Sequence, residues 1–497
     1  MKLKNLLPLL LTILLISCNV HDSRLVILHT NDTHSQVEPD KSDKAGYARR
    51  MGVINNIRQN EKNVLLVDAG DFCQGTPYFN FFKGRVEVEA LNRMGYEAVT
   101  LGNHEFDNGL DSLAAILSLA KFPIVCANYD VNGTVLEGLV KPYTVINKRG
   151  IKVGIIGLGV SPESLISMHN FLPVKYLDPL PIADSLATYL RYEEGCDIVV
   201  CLSHLGTHYD GGQVSDEVIA KNTHDIDIII GGHTHKVYCN HFVENLDGRQ
   251  VLLSQTGKTG ARLGCMTLQI DSLRQIGSIS EEMLDIDSTT DSIADTAYPI
   301  YLEPYKQEVE NKLNYHLGDA PQDMIVARPE SNMLNWAADA LLEMARIKTN
   351  QDVDMSVVNI GGLRCNWPAG EITLRNVFEL MPFDNELVIL TLTGEDLIDL
   401  AKAFASQGGQ GMSGMEIEIK NNKLKNATLA GHKIVPQMLY RVATSDYLSD
   451  GKDHLDPLGR HSSIIETHEV IRDLYIEYIK LHPVVEAPLD GRTKVLD

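Results

Sequence analysis

The chain is poor in cysteine, in basic residues and in long apolar runs, and each shortage excludes a class of protein. Eight cysteines are scattered over 497 residues without a CxxC pair, so we expect neither a disulfide-stapled domain nor a thiolate zinc site. Lysine and arginine number 44 against 66 aspartate and glutamate residues, which gives a formal charge of −22. That charge argues against a nucleic-acid polymer as partner, because such binding depends on neutralising phosphates with Lys and Arg. An anionic small substrate would need a local positive centre, such as a bound metal.

Only the N-terminal residues are apolar enough to predict contact with a membrane. Residues 1–17 have a basic start and an apolar stretch over 6–16, the pattern of a secretory signal that is too short for a comfortable bilayer span. The small residue Ser17 before Cys18 resembles a bacterial lipobox, so we expect an exported chain that is lipidated at Cys18 and tethered by acyl chains. The alternative is an ordinary signal peptide with a chance cysteine. No strong acidic run follows Asn19, which favours the periplasmic side of the outer membrane.

The remaining chain has the composition of a soluble globular protein, and its length predicts two or three domains. From 24 to 284, short runs rich in Val and Ile alternate with helix-like spacing, which predicts a layered α/β domain. A polar, acidic stretch at 285–297 predicts a boundary, so that 285–319 forms a linker containing a linking helix through about 314. A smaller α+β domain is predicted over 320–497, with helices at 332–346 and 464–480. The predicted strands of the first domain are Leu25–Leu28, Val64–Val67, Ala98–Leu101, Ile124–Ala127, Lys152–Leu158, Ile198–Leu202, Ile226–Ile230 and Val251–Leu253.

Five of these runs are followed by Asp, Asn or His. The clusters are Asn31-Asp32-Thr33-His34, Asp68-Ala69-Gly70-Asp71, Gly102-Asn103-His104-Glu105-Phe106-Asp107, Ser203-His204 and Gly231-Gly232-His233-Thr234-His235. Because the carboxyl ends of the strands share one edge in open α/β sheets, where ligands bind, we expect the five clusters to converge. Two Asp, one Asn and four His form an N/O ligand set that suits Zn, Mn or similar divalent ions. Seven ligands are too many for one tetrahedral ion and suit two ions that share a carboxylate.

In this order, the motifs Asp-x-His, Gly-Asp, Gly-Asn-His-Glu, Ser-His and Gly-His-Thr-His resemble those of the calcineurin-like metallophosphoesterases. The resemblance implies a four-layer α/β sandwich that holds two divalent metal ions, with Zn, Mn and Co as candidates. The implied ligands of one ion are Asp32, His34, Asp71 and His235, and those of the other are Asp71, Asn103, His204 and His233. It also implies that His104, oriented by Asp107, contacts the phosphoryl group and stabilises transition-state charge or assists the leaving oxygen.

The second domain carries motifs that suit a nucleotide. In Asn359-Ile360-Gly361-Gly362-Leu363-Arg364 the glycines allow close backbone approach, and Arg364 can fork onto phosphate or ribose oxygens. Phe383 and Tyr447 could sandwich a flat base, or both could be core aromatics; their spacing leaves the two readings open. With the loop that follows Tyr447, these motifs resemble the 5′-nucleotidase family, which includes periplasmic UDP-sugar hydrolases.

This second resemblance implies a role for six residues. Asn359 and Arg364 would contact the sugar–phosphate part of a nucleotide, Phe383 and Tyr447 would stack the base, and Asp453 would bind ribose hydroxyls. Arg328 is a further candidate anion contact. The chain departs from the family at the late loop, where Asp450-Gly451-Lys452-Asp453-His454 replaces Gly-Gly-Asp-Gly, and in having Tyr as one stacking residue. These departures leave the loop shape and the base preference open.

The expected function is a dinuclear-metal phosphohydrolase that releases phosphate from nucleoside 5′-monophosphates in extracytoplasmic nucleotide salvage. UDP-sugars and nucleoside di- and triphosphates are further candidate substrates. One alternative is a 2′,3′-cyclic-nucleotide 2′-phosphodiesterase with 3′-nucleotidase activity, and another is a non-enzymatic envelope binding lipoprotein. The native metal and the oligomeric state stay open, and a monomer is compatible with the sequence.

Overall fold

The computed structural model of the chain describes residues 23–163, 165–166, 168–209 and 211–496. The predicted signal over 1–17 and Cys18 therefore lie outside the described residues. None of the described helices combines the length and the hydropathy needed to cross a bilayer. The seven cysteines after Cys18 are all free thiols, and most of them are buried.

The first domain contains fifteen strands and seven α-helices within the described residues. The strands are β1 Ser23–Thr30, β2 Val64–Asp68, β3 Ala98–Thr100, β4 Ile124–Val125, β5 Tyr129–Asp130, β6 Val140–Lys141, β7 Tyr143–Lys148, β8 Ile151–Leu158, β9 Lys175–Tyr176, β10 Ile198–Ser203, β11 Ile228–Gly231, β12 Val237–Glu244, β13 Gln250–Thr256, β14 Arg262–Ile270 and β15 Ile276–Asp285. The helices are α1 Tyr47–Asn60, α2 Pro77–Phe82, α3 Arg85–Met94, α4 Gly109–Leu117, α5 Met168–Phe171, α6 Pro179–Tyr192 and α7 Asp216–Lys221.

Two mixed sheets form the centre of this domain. One has the strand order β15-β14-β1-β2-β3-β4-β6, and the other has the order β12-β13-β11-β10-β8-β7. Strands β1, β2, β3 and β4 run parallel in the first sheet, and β8, β10, β11 and β13 run parallel in the second. The parallel strands of each sheet therefore end at a common edge.

Alternating side chains explain why the two sheets stack between helices. In β1, Leu25 and Ile27 belong to the apolar cluster that also contains Ile155 and Val200 of the second sheet. Val26 and Leu28 point the other way and pack with the helix residues of the first sheet's outer layer. Successive residues of a strand point to opposite faces, so both faces of β1 are apolar and both are covered. The result is the predicted four-layer α/β sandwich.

Helix α8, Ala297–Leu313, connects the two domains and lies within the linker predicted over 285–319. Strand β15 extends to Asp285, and a 3₁₀ helix covers Ser288–Ile293 before α8 begins. Tyr298 and Leu302 of α8 are buried against the first domain's core.

The second domain is α+β. Its strands are β16 His316–Ala320, β17 Met355–Val358, β18 Gly370–Thr373, β19 Glu386–Thr393, β20 Gly411–Ser413, β21 Met415–Lys420, β22 Lys423–Leu429, β23 His432–Lys433, β24 Leu439–Ser445, β25 Ser463–Val470 and β26 Thr493–Val495. Its helices are α9 Asn332–Thr349, α10 Leu374–Leu380, α11 Gly394–Ser406, α12 Asp446–Ser449 and α13 Ile471–Leu481. A five-stranded sheet of order β20-β17-β24-β19-β25 forms its main layer.

The helix predicted over 464–480 is wrong in its first half. Residues Ser463–Val470 form the edge strand β25, which pairs antiparallel with β19, and the helix α13 begins only at Ile471. The segment is rich in β-branched residues, which favour strands, and the free edge of β19 supplies the backbone partner. Tertiary pairing therefore overrides the helix-like spacing of these residues.

Candidate metal centre and substrate cleft

The seven predicted metal ligands lie where parallel strands of two different sheets end. The first sheet contributes Asp32 and His34 after β1, Asp71 after β2 and Asn103 after β3, whereas the second contributes His204 after β10 and His233 and His235 after β11. Because the sheets stack face to face, their strand ends meet at one rim of the sandwich. The structure thus brings together five segments that are far apart in sequence.

The distances between ligand atoms are those of a compact polar cluster. His204 Nε2 lies 3.0 Å from Asp71 Oδ2 and 3.8 Å from Asp32 Oδ1. His235 Nε2 lies 3.4 Å from Asp32 Oδ1 and 2.9 Å from His34 Nε2. Asn103 joins the cluster through its Oδ1, which is 3.1 Å from His233 Nδ1.

These side chains form two adjacent groups that could each hold a cation. Asp32, His34 and His235 form one group, and Asp71, His204 and His233 form the other; within each, all candidate ligand atoms lie within 4.8 Å of one another. Asp71 is also grouped with His34 and His104, so its carboxylate stands between the two sets. This is the position that a carboxylate shared by two ions would occupy.

Backbone strain marks the same segments. Asp32, His34, Asp71, His233 and His235 all have positive φ, between 45° and 71°. Residues other than glycine rarely adopt this left-handed region, and it persists only where the surrounding structure over-determines it. Five strained residues at one cluster indicate that ligand placement is maintained at a cost in local stability.

Asp32 is held by a residue that the sequence analysis did not single out. Asn31 Nδ2 donates to Asp32 Oδ2 at 2.5 Å, while Asn31 Oδ1 accepts from the backbone N–H and the hydroxyl of Thr256, both at 2.8 Å. The backbone N–H of His233 also donates to Asp32, at 3.0 Å. Asn31 therefore ties the end of β1 to the second sheet. Its only sequence signal was its place beside Asp32.

Glu105 is a second residue whose role was missed. Its carboxylate accepts three backbone N–H groups, from Asp71 at 3.1 Å, Cys73 at 3.0 Å and Gly102 at 2.6 Å. These bonds connect the loop that carries Asp71 to the loop that carries Asn103. Burial, reinforced by the charge of Asp71, raises the pKa of Glu105 to about 7. The signal available in the sequence was its place in the Gly-Asn-His-Glu motif.

The imidazoles differ in their protonation. Burial lowers the pKa of His34 to about 4, and burial with the nearby His204 lowers that of His233 to about 4. Both rings are therefore neutral near pH 7, the form that binds metals. Burial also acts to lower the pKa of His204, but Asp71 outweighs it and raises the value to about 10.

The residues present fit a pair of divalent cations. His204 Nε2 is buried and faces two carboxylates, yet no atom of the described residues meets it in good hydrogen-bond geometry. Gly102 leaves room beside it, since a Cβ at this position would lie 2.2 Å from Asp71 Oδ1 and 2.7 Å from His204 Nε2. Buried polar groups are normally paired, and an exception such as this one is explained by a site for an ion. Nitrogen and oxygen donors of this kind suit Zn, Mn or Co.

The predicted pair of His104 and Asp107 stands beside the cluster and faces solvent. His104 Nδ1 is 2.8 Å from Asp107 Oδ2, and the His104 backbone N–H donates to Asp71 Oδ1 at 2.9 Å. Burial acts to lower the pKa of His104, but Asp107 and then Asp71 outweigh it and raise the value to about 10. The ring is about one third exposed, 31%. It can therefore present a positive charge to a ligand in the cleft.

A cavity of about 380 Å³ opens between the two domains at this point. His104 and Asp107 line its first-domain side, and Phe383, Asp384 and Arg472 line its second-domain side. Asn80 bridges the walls through weak contacts of 3.4 Å to both carboxylate oxygens of Asp384. His104, Asp107 and one predicted stacking aromatic thus line one space.

Five of the predicted substrate residues form two contact groups in the second domain. Asp453 accepts from Tyr447 Oη at 3.2 Å and from the side-chain amide of Asn359. Arg364 donates to the Gly361 carbonyl at 3.1 Å, and its guanidinium carbon lies 5.8 Å from the ring centre of Phe383. A guanidinium at that distance is within the range of a cation–π contact.

The two aromatic residues are surface residues. Phe383 is 37% exposed and Tyr447 43% exposed, and within the described chain neither ring contacts another aromatic ring. These exposures argue against the reading of both as core aromatics. Large apolar groups left open beside a polar cleft are typical of ligand-binding surfaces.

Arg328 lies at the edge of this group. Its Nε donates to the Gly409 carbonyl at 2.9 Å, and Gln407 of the same turn donates to the Asp453 carbonyl at 3.3 Å. The guanidinium therefore already supports the backbone of Gly409, in the turn whose Gln407 contacts the backbone of Asp453. A direct contact between Arg328 and an anion stays a prediction.

Arg472, on α13, was not among the predicted residues. It is 5% exposed, its Nη2 lies 2.5 Å from Asp384 Oδ1, and its guanidinium carbon lies 4.3 Å from the ring centre of Phe378. Phe378 in turn packs on Phe81 of the first domain, with ring centres 5.5 Å apart. Arg472 supports the domain contact beside the cavity, and no local motif in the sequence marks it.

Comparison with known proteins gives two family matches. Residues 25–237 match the calcineurin-like phosphoesterase family, and residues 316–460 match the 5′-nucleotidase C-terminal domain. Both resemblances predicted from the motifs are confirmed, and so is the two-part α/β architecture. The matched regions contain all seven candidate metal ligands and all six candidate substrate residues.

Individual relatives extend the similarity over most of the chain. A snake venom 5′-nucleotidase from Crotalus adamanteus is 31% identical over 431 residues, which cover 78% of this chain and 71% of that protein. The trifunctional nucleotide phosphoesterase protein YfkN of Bacillus subtilis (strain 168) is 28% identical over 527 residues, 95% of this chain and 35% of that protein. Among solved structures, the 5′-nucleotidase precursor from Thermus thermophilus superposes with a TM-score of 0.71 at 29% identity, covering 96% of this chain and 100% of the other.

Proposed function

The chain belongs to the 5′-nucleotidase family, and we propose that it hydrolyses nucleoside 5′-monophosphates to nucleoside and inorganic phosphate. Its metallophosphoesterase domain and clustered ligands make it a metal-dependent hydrolase, which sets aside the alternative of a non-enzymatic binding lipoprotein. UDP-sugars and nucleoside di- and triphosphates are further proposed substrates.

One observation carries the proposal: His104 and Phe383 line the same cavity. His104 lies beside the metal cluster and can approach a phosphoryl group, whereas Phe383 offers an exposed ring to a base. A substrate that uses both must have a phosphate ester and a flat ring joined by a spacer, which describes a nucleotide. A phosphatase for simple esters would need only the first wall.

The chain's own residues have separable tasks. Two divalent cations held by the seven ligands would supply positive charge next to the phosphoryl oxygens and activate the attacking water. His104, held by Asp107, donates a hydrogen bond from its Nε2 side to a phosphoryl or leaving oxygen as negative charge develops there. Arg364 and Asn359 would fix the sugar–phosphate part, and Phe383 and Tyr447 would hold the base by stacking. Asp453 would accept hydrogen bonds from ribose hydroxyls.

We propose Zn, Mn or Co as the native metal, because the donor set is made of imidazole, carboxylate and one amide. Elemental analysis of purified protein, followed by chelation and reloading with each ion, tests this assignment. Two ions per chain are expected, together with a rise in thermal stability on reloading. One ion per chain or fewer after reloading would contradict a dinuclear centre.

A substrate panel tests the activity itself. AMP, UDP-glucose, 2′,3′-cyclic AMP and ribose 5-phosphate are compared with added Mn, Zn or Co, and again after EDTA. We expect AMP to be hydrolysed much faster than ribose 5-phosphate, which has the phosphate but no base. Full activity after thorough chelation would contradict the metal mechanism, and equal rates on AMP and ribose 5-phosphate would contradict the role of the second domain.

A second candidate activity is 2′,3′-cyclic-nucleotide 2′-phosphodiesterase with 3′-nucleotidase activity. It is favoured by the similarity to YfkN, whose name describes a trifunctional nucleotide phosphoesterase. The same panel separates the candidates. Faster hydrolysis of 2′,3′-cyclic AMP than of AMP would make the cyclic nucleotide the better substrate.

We also propose that the protein is exported and anchored by a lipid at Cys18, on the periplasmic side of the outer membrane, where it serves nucleotide salvage. The support is the Leu15-Ile16-Ser17-Cys18 pattern after an apolar stretch. Partition into the detergent phase and the mass of the N-terminal peptide test the anchor. Cys18→Ser should abolish both the detergent partition and the added mass of the lipidated peptide. An unmodified Cys18 in protein isolated from the membrane fraction would contradict the proposal.

A further inference from the structure

The first domain has a face opposite the metal centre, which we call the basal face. It consists of the segments that precede the parallel strands and of the turns that join antiparallel strands at the same end of the domain. These segments are Arg24, 60–63, 95–97, 119–123, 148–150, 191–197, 224–227, 245–249 and 271–275. Cross-sheet ion pairs confirm that these segments share one end, since Lys148 lies 2.9 Å from Glu97 and Arg274 lies 3.2 Å from Asp197.

The described chain enters the domain at this face. Ser23 begins β1 and pairs with Ile270, the last residue of β14, directly before the turn 271–275. The metal ligands Asp32 and His34 follow the opposite end of β1. Eight strand residues rise about 26 Å at about 3.3 Å per residue, so the entry point and the metal centre lie at opposite ends of the sandwich.

Exposed apolar side chains cluster at the basal face. Leu273 is 77% exposed at the tip of its turn, Tyr192 is 70% exposed at the end of α6, and Leu246 is 55% exposed in the turn between β12 and β13. Apolar and amphipathic residues presented on turn tips can enter the headgroup region of a bilayer, where Tyr is favoured.

The charge of the face differs from that of the chain. Its segments contain eight Lys or Arg residues and nine Asp or Glu residues, so the face is close to neutral. Arg24, Arg249 and Arg274 are held in ion pairs with acidic residues of the same face. Lys62, Lys121 and Arg149 are exposed basic residues. The chain as a whole carries 66 acidic residues against 44 basic ones. A nearly neutral end of an acidic protein is repelled less by an anionic membrane than the rest of the protein would be, and exposed Lys and Arg residues on it are attracted to such a surface.

We propose that the basal face is a membrane-apposed surface that binds a bilayer of zwitterionic and anionic phospholipids, with the substrate cleft directed away from it. The inference rests on the lipid anchor proposed above. Five residue steps join Cys18 to Ser23, and a fully extended chain of that length spans at most about 18 Å. Acyl chains on Cys18 therefore hold Ser23, and with it Leu273, close to the headgroups.

The two native tryptophans allow a direct test. Trp336 and Trp367 are both in the second domain and are 2% and 1% exposed, so an added tryptophan dominates any change caused by lipid. We compare Leu273→Trp with Leu489→Trp, whose parent residue is 67% exposed in the second domain. Each full-length lipidated protein is reconstituted into vesicles of phosphatidylethanolamine and phosphatidylglycerol with brominated acyl chains.

The expected result is a blue shift and a loss of about half of the emission for Leu273→Trp, because interfacial side chains enter about 5–10 Å into the headgroup and acyl boundary. Leu489→Trp should show neither change. Equal quenching of the two variants, or quenching of Leu489→Trp alone, would overturn the proposal. If the purified protein carries no lipid, both the proposed anchor at Cys18 and the proposed membrane contact of the basal face are wrong. Phosphate release from AMP tests the proposed nucleotidase activity independently of that outcome.

Discussion

Burial distinguishes the two walls of the cleft. On the metal side, Asp32 and His204 are fully buried. Asn31 ties the loop of Asp32 to neighbouring backbone, and Glu105 does the same for the loops of Asp71 and Asn103. On the substrate side, Phe383 and Tyr447 are more than one third exposed. Side chains that hold ions must keep their geometry before the substrate binds. Side chains that bind a base stabilise the complex by burying apolar surface, and this burial occurs only when the base binds. The comparison predicts that changes to the first wall affect turnover and metal content, and that changes to the second affect affinity.

The largest effect is expected from Asp71→Asn, which weakens the carboxylate placed between the two ligand groups. We expect both ions to be lost and phosphate release to fall to background, because no other described carboxylate occupies this position. Elemental analysis and phosphate release measure the two effects. Asp111→Asn, at an exposed carboxylate on α4, is the matched control and should retain both. Normal metal content in Asp71→Asn would contradict the prediction that two ions share the Asp71 carboxylate.

His104→Ala should lower turnover and leave metal content unchanged. General acid–base groups contribute about 10²–10⁴-fold, and we expect a loss of kcat in this range with KM for AMP changed by only a few fold. Steady-state kinetics with His432→Ala as control, at an exposed histidine of β23, checks the assignment. Loss of affinity with kcat preserved would place His104 in binding instead.

Glu105→Gln tests whether the rigidity of the first wall comes from hydrogen bonds to the backbone. The amide has one acceptor oxygen, so it cannot accept all three N–H groups that the carboxylate accepts now. Changes to groups that orient metal ligands typically cost about 10–100-fold in metal affinity. Competition with a chelator and thermal melting measure this, with the exposed Glu395→Gln as control. Unchanged metal affinity in Glu105→Gln would show that the loops are held by other contacts.

Phe383→Ala should have the smallest effect and should act on affinity alone. Base stacking is worth about 1–3 kcal/mol, equivalent to a rise of about 5–150-fold in KM for AMP, with kcat and metal content preserved. Ribose 5-phosphate, which has no base, should be hydrolysed as by the parent protein. Phe242→Ala removes a ring of similar exposure, 40% against 37%, from β12 of the first domain and serves as control. A fall in kcat without a rise in KM would contradict the assignment of Phe383 to substrate affinity.

Some parts of this structure follow from local pattern. The eight apolar runs of the first domain all became strands, because a buried strand needs several consecutive apolar residues and this need is visible in the sequence. The ligand-type residues were visible for the same reason, since they come directly after those runs. In β25 the local pattern misled, because pairing with β19 decides the conformation of Ser463–Val470.

Other parts depend on contacts between distant residues. Glu105 resembles any acidic residue near a histidine until its three backbone donors are seen. Arg472 belongs to the cleft only because α13 packs beside Phe378 and Asp384. Spacing along the chain contains no information on either contact.

The amino-acid sequence by itself determined which candidate ligands this protein has: two aspartates, one asparagine and four histidines at strand ends, and a histidine with an aspartate three residues later. The exposure of Phe383 and Tyr447 was left to the tertiary structure. Only the tertiary structure decided which ligands face each other. Asp32 and Asp71 end strands of one sheet, and His204, His233 and His235 end strands of the other. They meet because the two sheets bury their apolar inner faces against each other. The hydrophobic effect that drives this burial is non-directional and depends on the buried area. The sequence of one ligand-bearing segment therefore does not specify which other segment it will face.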